Sequence, residues 1–304
     1  MNAIINQFDN TFIYGHKDKN EKELDMRKNR KNNSHTYRKR ICIMAVLLAG
    51  SLMLGGCGVK KENAADNELP EIVIGMDYFE PYSYQVSNGE YKGIDVELAK
   101  EAFQRLGYQP KFENIVWEDK DELLAEGTID CLWSCYSMNG REDKYQWVGP
   151  YLYSRQMVAV RKESEINTIQ DLEGKKIAVQ ATTKAEELFL HKIASDLPQT
   201  EQVNCFSTTN ELYAALRKNY VDAIAGHEAM LGSLVQDGKG IYRMLEESPY
   251  KSELGIAFKK ETHGELAADL TETLKEMQDE GVTKEIVTKY GLDADKILPG
   301  GERK

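Results

Sequence analysis

Residues 122–132 read ELLAEGTIDCL, and residues 212–224 read LYAALRKNYVDAI. Each stretch predicts a helix that ends at a Gly or Asn turn, followed by an Asp that leads into an apolar strand. Because one such unit lies in each half of the chain, we expect two similar lobes. Ligands of open α/β sheets bind beyond the carboxyl ends of the strands, so two facing lobes are expected to share one crevice.

Around these two units, short apolar runs predict strands and a 3.6-residue periodicity predicts helices. We expect strands at residues 71–75, 129–133, 157–161, 176–179, 221–225 and 254–259. We expect helices at residues 95–106, 121–126, 185–195, 211–218, 265–280 and 284–290. Strands that alternate with helices are typical of an α/β fold with largely parallel sheets.

The composition indicates a folded and acidic protein. The chain has 304 residues, a formal charge of −11 and 41% hydrophobic residues, which excludes wholesale disorder. The first 56 residues carry a balance of +5, so the remaining 248 carry −16. So acidic a segment argues against nucleic acid as a partner, because proteins bind nucleic acid through clustered cationic residues. It also argues against a protein that lies flat on an anionic membrane.

The N-terminal part has the features of a secretory signal peptide. A basic run at residues 26–40 precedes an uncharged run at residues 41–56 that is short for a bilayer span. The run ends in LGGC, which resembles the lipobox of bacterial lipoproteins, whose Cys is lipidated. This resemblance implies lipidation at Cys57 and anchoring on the extracytoplasmic face. The runs before it indicate an N-terminal extension and signal peptide at 1–56, and the polar stretch that follows indicates a tether at 57–69. A packing Cys57 in an uncleaved anchor is the alternative, and the start, Met1 or Met26, stays open.

The remaining cysteines give no sign of a metal site. Cys131, Cys135 and Cys205 show neither a CxxC pair nor the His spacing of a zinc site. Cys131 and Cys135 could approach each other, but we expect all three to be buried free thiols. No metal and no cofactor is expected.

Several stretches, in their order and spacing, resemble the family 3 solute-binding proteins of ABC transporters for polar amino acids. They are IVIGMDYFEPYSY, GEYKGIDVELAKEAFQRLG, ELLAEGTIDCLWSCYSMNGRED, GPYLYSRQMVAVRKES, DLEGKKIAVQATTKAEEL, NYVDAIAG and ELGIAFKK. The resemblance implies a two-lobed, type II periplasmic-binding-protein-like α/β fold. Lobe 1 would hold residues 70–157 and 254–304, and lobe 2 residues 158–253. Two crossing strands, near Met157 and Leu254, would serve as a hinge.

The same resemblance assigns a ligand carboxylate to Arg141 and to two threonines. A guanidinium fork binds a carboxylate bidentately and stays charged, and family members use the matching Arg for the α-carboxylate. Thr182 and Thr183 match residues that hold this carboxylate from the second lobe. The structural alternatives are a surface Arg141 paired with Glu142 or Asp143, and threonines that only cap a helix.

Other residues match positions around the rest of the ligand. Ser134 and Ser137 match residues that contact its amino and carboxylate ends. Phe79 and Trp117 match the apolar walls on either side of it, although an aromatic residue here can equally belong to the core. Asp77 follows the first strand, where it could meet a ligand amine or side chain.

One position departs from the family pattern. The family usually has an Asp that pairs with the α-ammonium, and this chain has His227, followed by Glu228. A neutral imidazole supplies no negative charge, and a buried ammonium without an anionic partner is costly. Either Glu228, Glu80 or Asp77 therefore takes over, or the ligand lacks a standard α-amino group, or His227 is a core residue without ligand contact.

The implied function is binding rather than catalysis. We expect a monomeric, extracytoplasmic lipoprotein that binds a small polar carboxylate ligand, above all an amino acid, between its lobes. It would deliver this ligand to an ABC transporter permease in the membrane. Two alternatives stay open: a ligand-sensing module, and a dehydratase or lyase on the same fold. The enzyme would need a crevice acid–base, for which His227 with Glu228 is the suggestive pair.

Overall fold

The computed structural model describes residues 69–194 and 196–300. The predicted signal peptide, the lipidation site Cys57 and nearly all of the predicted tether therefore lie outside the described residues. Asp66–Lys304 forms a unit by itself. In the described part of the chain, no helix is long and apolar enough to cross a membrane.

Strands and helices alternate along the described chain. The strands are β1 (Glu71–Met76), β2 (Tyr84–Gln85), β3 (Tyr91–Lys92), β4 (Gln109–Asn114), β5 (Cys131–Leu132), β6 (Gln146–Arg161), β7 (Lys176–Gln180), β8 (Gln202–Phe206), β9 (Ala223–His227), β10 (Tyr242–Met244) and β11 (Tyr250–Phe258). The helices are α1 (Ile94–Arg105), α2 (Lys120–Glu126), α3 (Lys184–Phe189), α4 (Thr209–Arg217), α5 (Glu228–Asp237), α6 (Gly264–Asp279), α7 (Val282–Lys289) and α8 (Ala294–Ile297).

The main sheet contains two parallel groups of strands joined by an antiparallel pair. Its order is β4-β1-β5-β11-β6-β9-β7-β8, and β10 pairs with β6. β1 runs parallel to β4 and β5, and β7 runs parallel to β8 and β9. Between these groups, β6 and β11 pair antiparallel from Gln156↔Tyr250 to Gln146↔Phe258. The predicted α/β class is confirmed. Met157 and Leu254, where we expected the crossings, lie in this central pair.

The two sequence units 122–132 and 212–224 make the same contact in each strand group. The carboxylate of Asp130 accepts a hydrogen bond from the Val73 backbone N–H at 2.7 Å, and the Asp130 N–H donates to the Val73 carbonyl at 2.8 Å. Asp222 repeats both bonds with Lys176, at 2.9 and 2.8 Å. Each Asp therefore ties the end of its unit to the neighbouring first strand of its group.

Turn residues allow this repetition. Gly127 follows α2 with φ of 71°, and Asn219 follows α4 with φ of 59°. Gly adopts this left-handed conformation without steric cost, and Asn tolerates it better than most residues. The chain can thus leave each helix and enter the next strand within a few residues.

Helix α1 packs its predicted apolar stripe into the core. Ala99, Ala102 and Phe103 are fully buried, and the Phe103 ring meets the Trp133 ring edge-on at 6.1 Å. Trp133 follows β5 directly. This packing holds the C-terminal half of α1 against the residue that follows β5.

Two expectations need correction. The helix expected at 185–195 ends at Phe189. Leu190 and Ile193 are exposed, so no buried face supports another turn of helix. Cys131 and Cys135 are buried free thiols as expected, but Cys205 is exposed. Cys205 lies on β8, which is an edge strand with a solvated side.

We predict that the two Asp residues contribute similarly to stability. Replacing Asp130 or Asp222 with Ala leaves the N–H of Val73 or Lys176 without its acceptor. Each change should lower the free energy of unfolding by about 1–2 kcal/mol, as measured by urea denaturation. Replacement with Asn keeps an acceptor oxygen and should cost less. Ala variants as stable as the wild type would contradict this role.

Candidate ligand-binding crevice

A crevice lies at the carboxyl ends of strands from both parallel groups. Asp77 and Phe79 follow β1, Ser134 and Ser137 follow β5, and Arg141 comes shortly after. They share it with four residues at the ends of β7 and β9: Gln180, Thr183, Lys184 and His227. Trp117, Cys135 and Tyr136 complete the lining. The structure thus brings together eight of the ten predicted site residues, and Thr182 and Glu228 are outside the lining.

The side chains leave little room between them. The cavity measures about 20 Å³, close to the volume that one water-sized sphere requires. An amino acid is several times larger. The side chains, or the elements that carry them, must therefore separate to admit a ligand of that size.

Arg141 is buried in this crevice rather than exposed. Its guanidinium donates to the Ser137 carbonyl at 2.8 Å and lies over the Tyr136 ring, with Cζ 4.9 Å from the ring centroid. Its ion pair is with Glu187, at 2.5 Å. Neighbouring Glu142 instead accepts a hydrogen bond from the Gly140 N–H, at 2.9 Å. The described geometry does not show the alternative pairing of Arg141 with its sequence neighbours.

The two threonines differ in their placement. Thr183 lines the crevice and precedes α3, but its hydroxyl donates to the Gln180 carbonyl at 2.7 Å instead of capping the helix. Thr182 has φ of 58°, and its N–H donates to the Glu186 carboxylate at 2.6 Å. The Thr182 hydroxyl accepts a hydrogen bond from Lys120 Nζ at 2.9 Å.

Two buried lysines join the site, and sequence reasoning missed both. Lys120 is 2% exposed, and burial lowers its pKa to about 8. It donates to the Trp117 carbonyl at 3.2 Å, and its ammonium lies 5.1 Å from the Trp117 ring. Lys184 donates to the Asn139 carbonyl at 2.6 Å and pairs with Glu187. Nothing in their spacing distinguishes them from solvated lysines on a helix.

Asp77 is the acidic group of the crevice lining. Burial raises its pKa to about 6, although hydrogen bonds from Gln180 Nε2 at 2.5 Å and from the Tyr78 N–H at 2.7 Å act against the rise. The Asp77 N–H donates to Ser134 Oγ at 3.2 Å. Glu80, the other acid considered near β1, is exposed and outside the lining.

His227 cannot supply the negative charge that the sequence resemblance implies at this position. Burial, together with the charge of Arg141, lowers its pKa to about 3, so its imidazole stays neutral at physiological pH. The ring contacts Ser154 Oγ at 3.0 Å and lies edge-on to Phe79 at 5.8 Å. Glu228 begins α5 and pairs with Arg155. His227 and Glu228 therefore contact different partners.

A buried carboxylate supports the loop that carries Ser134 and Ser137. Asp95, in the first turn of α1, accepts hydrogen bonds from the Cys135 N–H at 2.7 Å and from the Tyr151 hydroxyl at 2.8 Å. Cys135 has φ of 48°, which is unusual for a residue with a side chain. Burial raises the pKa of Asp95 to about 7.

The described residues contain no cluster of side chains suited to a metal ion.

Comparison with known proteins identifies the family. Residues 72–293 match the sequence profile of the bacterial extracellular solute-binding proteins, family 3. The chain belongs to this family. The chain is similar to the L-cystine-binding protein TcyJ of Escherichia coli, 25% identical over 84% of this chain and 95% of TcyJ. The glutamine-binding protein GlnH of Bacillus subtilis is 26% identical over 83% of this chain and 97% of GlnH.

Solved structures show the same fold. A substrate-binding protein of a Streptococcus pneumoniae ABC uptake transporter, with bound histidine, aligns with a TM-score of 0.68 and 25% identity over 73% of this chain and 93% of that one. An ancestral arginine-binding protein bound to arginine aligns with a TM-score of 0.66 and 26% identity over 72% and 97%. The fold is therefore the type II fold of the family 3 amino-acid-binding proteins, as predicted.

We predict a specific pH dependence from Asp95. The folded protein binds the Asp95 proton more tightly than the unfolded chain, because its pKa rises from 3.8 to about 7. Stability should therefore fall as pH rises between about 4 and 7. Relative to Asp95→Asn, the wild type should lose free energy of unfolding across this range and then level off, as measured by urea denaturation at a series of pH values.

The exposed residue Asp237 provides a matched control, since Asp237→Asn makes the same chemical change near the end of α5. Because Asp95 is intact in this variant, it should retain the pH slope of the wild type. A wild type and an Asp95→Asn variant with parallel stability curves would contradict the assignment of this slope to Asp95.

Proposed function

We propose that this protein binds a small carboxylate ligand, an amino acid above all, in the crevice and hands it to the permease of an ABC transporter. The observation that carries the proposal is the buried guanidinium of Arg141, which faces the crevice among polar groups from both strand groups. A buried guanidinium with bidentate geometry suits a carboxylate. Named relatives bind cystine and glutamine, and the pneumococcal neighbour binds histidine.

We assign the ligand's positive end to Asp77. His227 is neutral, and Glu228 is held by Arg155 outside the lining. Asp77 is the acid that lines the crevice, and a nearby ammonium would stabilise its ionised form. Arg141 and Asp77 would thus bind opposite charges of one zwitterionic ligand.

Binding would proceed by closure of two lobes, residues 70–157 with 254–304 and residues 158–253. Support comes from the central strands β6 and β11, which join the two parallel groups. Contacts on both sides of the crevice favour the form in which all of them are made, so a ligand shifts the population toward closure. A bend in β6 and β11 would serve as the hinge.

The membrane attachment in this proposal rests on the sequence. The basic and apolar runs before LGGC support a signal peptide and lipidation at Cys57. A lipid anchor would keep a monomeric protein on the extracytoplasmic face near its permease, which raises the effective concentration for docking. In this proposal the protein binds and releases its ligand unchanged.

We predict that binding depends on Arg141. A thermal-shift screen of the twenty amino acids and cystine should find compounds that raise the melting temperature further as their concentration increases. Arg141→Ala should abolish that rise. Arg155→Ala, which removes a more exposed guanidinium paired with Glu228, is the matched control and should retain it. An unchanged shift in Arg141→Ala would remove Arg141 from the site.

We predict that the affinity for a zwitterionic ligand falls as pH drops through about 6. Asp77 has a pKa of about 6, and its protonated form cannot attract an ammonium. Calorimetry between pH 5 and pH 8 should show this loss for the wild type. Asp77→Asn should bind weakly at every pH, with little change over the range. Glu80→Gln, an exposed neighbour, should behave like the wild type. A pH profile of Asp77→Asn identical to that of the wild type would contradict the assignment.

A further inference from the structure

Two carboxylates of α3 occupy donor groups that the ligand carboxylate was expected to use. Glu187 pairs with the Arg141 guanidinium at 2.5 Å and also with Lys184. Glu186 accepts the Thr182 N–H at 2.6 Å. The helix therefore presents to the crevice the same chemical group as the proposed ligand.

The cationic side chains of Arg141 and Lys184 need an anionic partner. The Arg141 side chain is 8% exposed and that of Lys184 is 0% exposed, so both charges are largely removed from water. A buried cation that loses its anion is strongly destabilising. One Glu187 carboxylate pairs with both, through Oε1 to Arg141 and Oε2 to Lys184. A second carboxylate that pairs with Arg141 and Lys184 together has to take the place of Glu187.

Glu187 can be displaced from Arg141 and Lys184. Its side chain is 28% exposed, whereas the two cations are buried, so its carboxylate can turn toward water and regain hydration. Glu186 differs, because it also lies 3.4 Å from His191 and holds the backbone of Thr182. Glu187 is therefore the exchangeable carboxylate of the pair.

We propose that Glu187 is an internal competitor for the ligand's carboxylate: it occupies Arg141 and Lys184 until a ligand carboxylate displaces it. This inference rests on the proposed function of the crevice. It adds Lys184 as a second cation that contacts the ligand. It also makes Glu187 a determinant of specificity. A compound without a carboxylate cannot replace Glu187 as the partner of the two cations. If such a compound displaced Glu187, Arg141 and Lys184 would both be left unpaired.

A simple carboxylate tests the exchange without any knowledge of the ligand. In Glu187→Ala, acetate should enter the space beside Arg141 and Lys184 and raise the melting temperature above that in chloride of equal ionic strength. The wild type should show no difference between the two salts, since Glu187 already fills the place. Glu142→Ala removes an acid next to Arg141 in sequence that does not contact its guanidinium, so this control should respond like the wild type.

Affinity tests the competition. For an amino acid found in the thermal-shift screen, Glu187→Gln should lower the dissociation constant by about tenfold or more, a typical coupling between linked interactions. Glu142→Gln should leave it near the wild-type value. The amide of the same amino acid, which lacks the carboxylate, should gain nothing from Glu187→Gln.

The two measurements separate the competitor from the proposed function. Equal responses of the wild type and Glu187→Ala to acetate overturn the inference, and so does an unchanged or weaker affinity in Glu187→Gln. A specific acetate response in a protein that binds no compound of the screen supports the exchangeable carboxylate and refutes amino acid binding.

Discussion

A guanidinium that is removed from water needs a partner of opposite charge, and much of the crevice follows from that need at Arg141. The Tyr136 ring and the Ser137 carbonyl surround the group on one side, and the Glu187 carboxylate meets it from the other. These partners come from both parallel groups of strands. The charge of one side chain therefore links the two sides of the crevice, and the choice of its anionic partner governs what the crevice can hold.

Much of this arrangement is readable from the sequence. The repeated helix–turn–Asp–strand unit predicts two similar lobes, and the bonds of Asp130 and Asp222 give the physical reason for the repeat. Asp77 directly follows an apolar strand that the sequence makes easy to recognise, and the structure places it with Ser134 at the carboxyl ends of strands. Their roles toward a ligand stay predictions.

Other features depend on contacts that no local pattern records. The edge strand β4 reads QPKFEN, which alternates too weakly to be recognised and carries a Pro that an edge tolerates. Lys120 and Lys184 have the sequence context of surface lysines, and they are buried because residues from the opposite side of the crevice cover them. The occupation of Arg141 by Glu187 joins residues 46 positions apart, so only the tertiary structure reveals it.

The position of Trp117 makes its fluorescence sensitive to the charge of Lys120. Its indole lies edge-on to Tyr136 at 5.0 Å and 5.1 Å below the ammonium of Lys120, which is held in turn by Thr182 across the crevice. Indole emission responds to the electric field of a nearby charge. When the bond between Lys120 and Thr182 breaks, the Trp117 carbonyl is the acceptor that still holds this ammonium. The field at the indole then changes, and we expect the wavelength and intensity of Trp117 fluorescence to change with it.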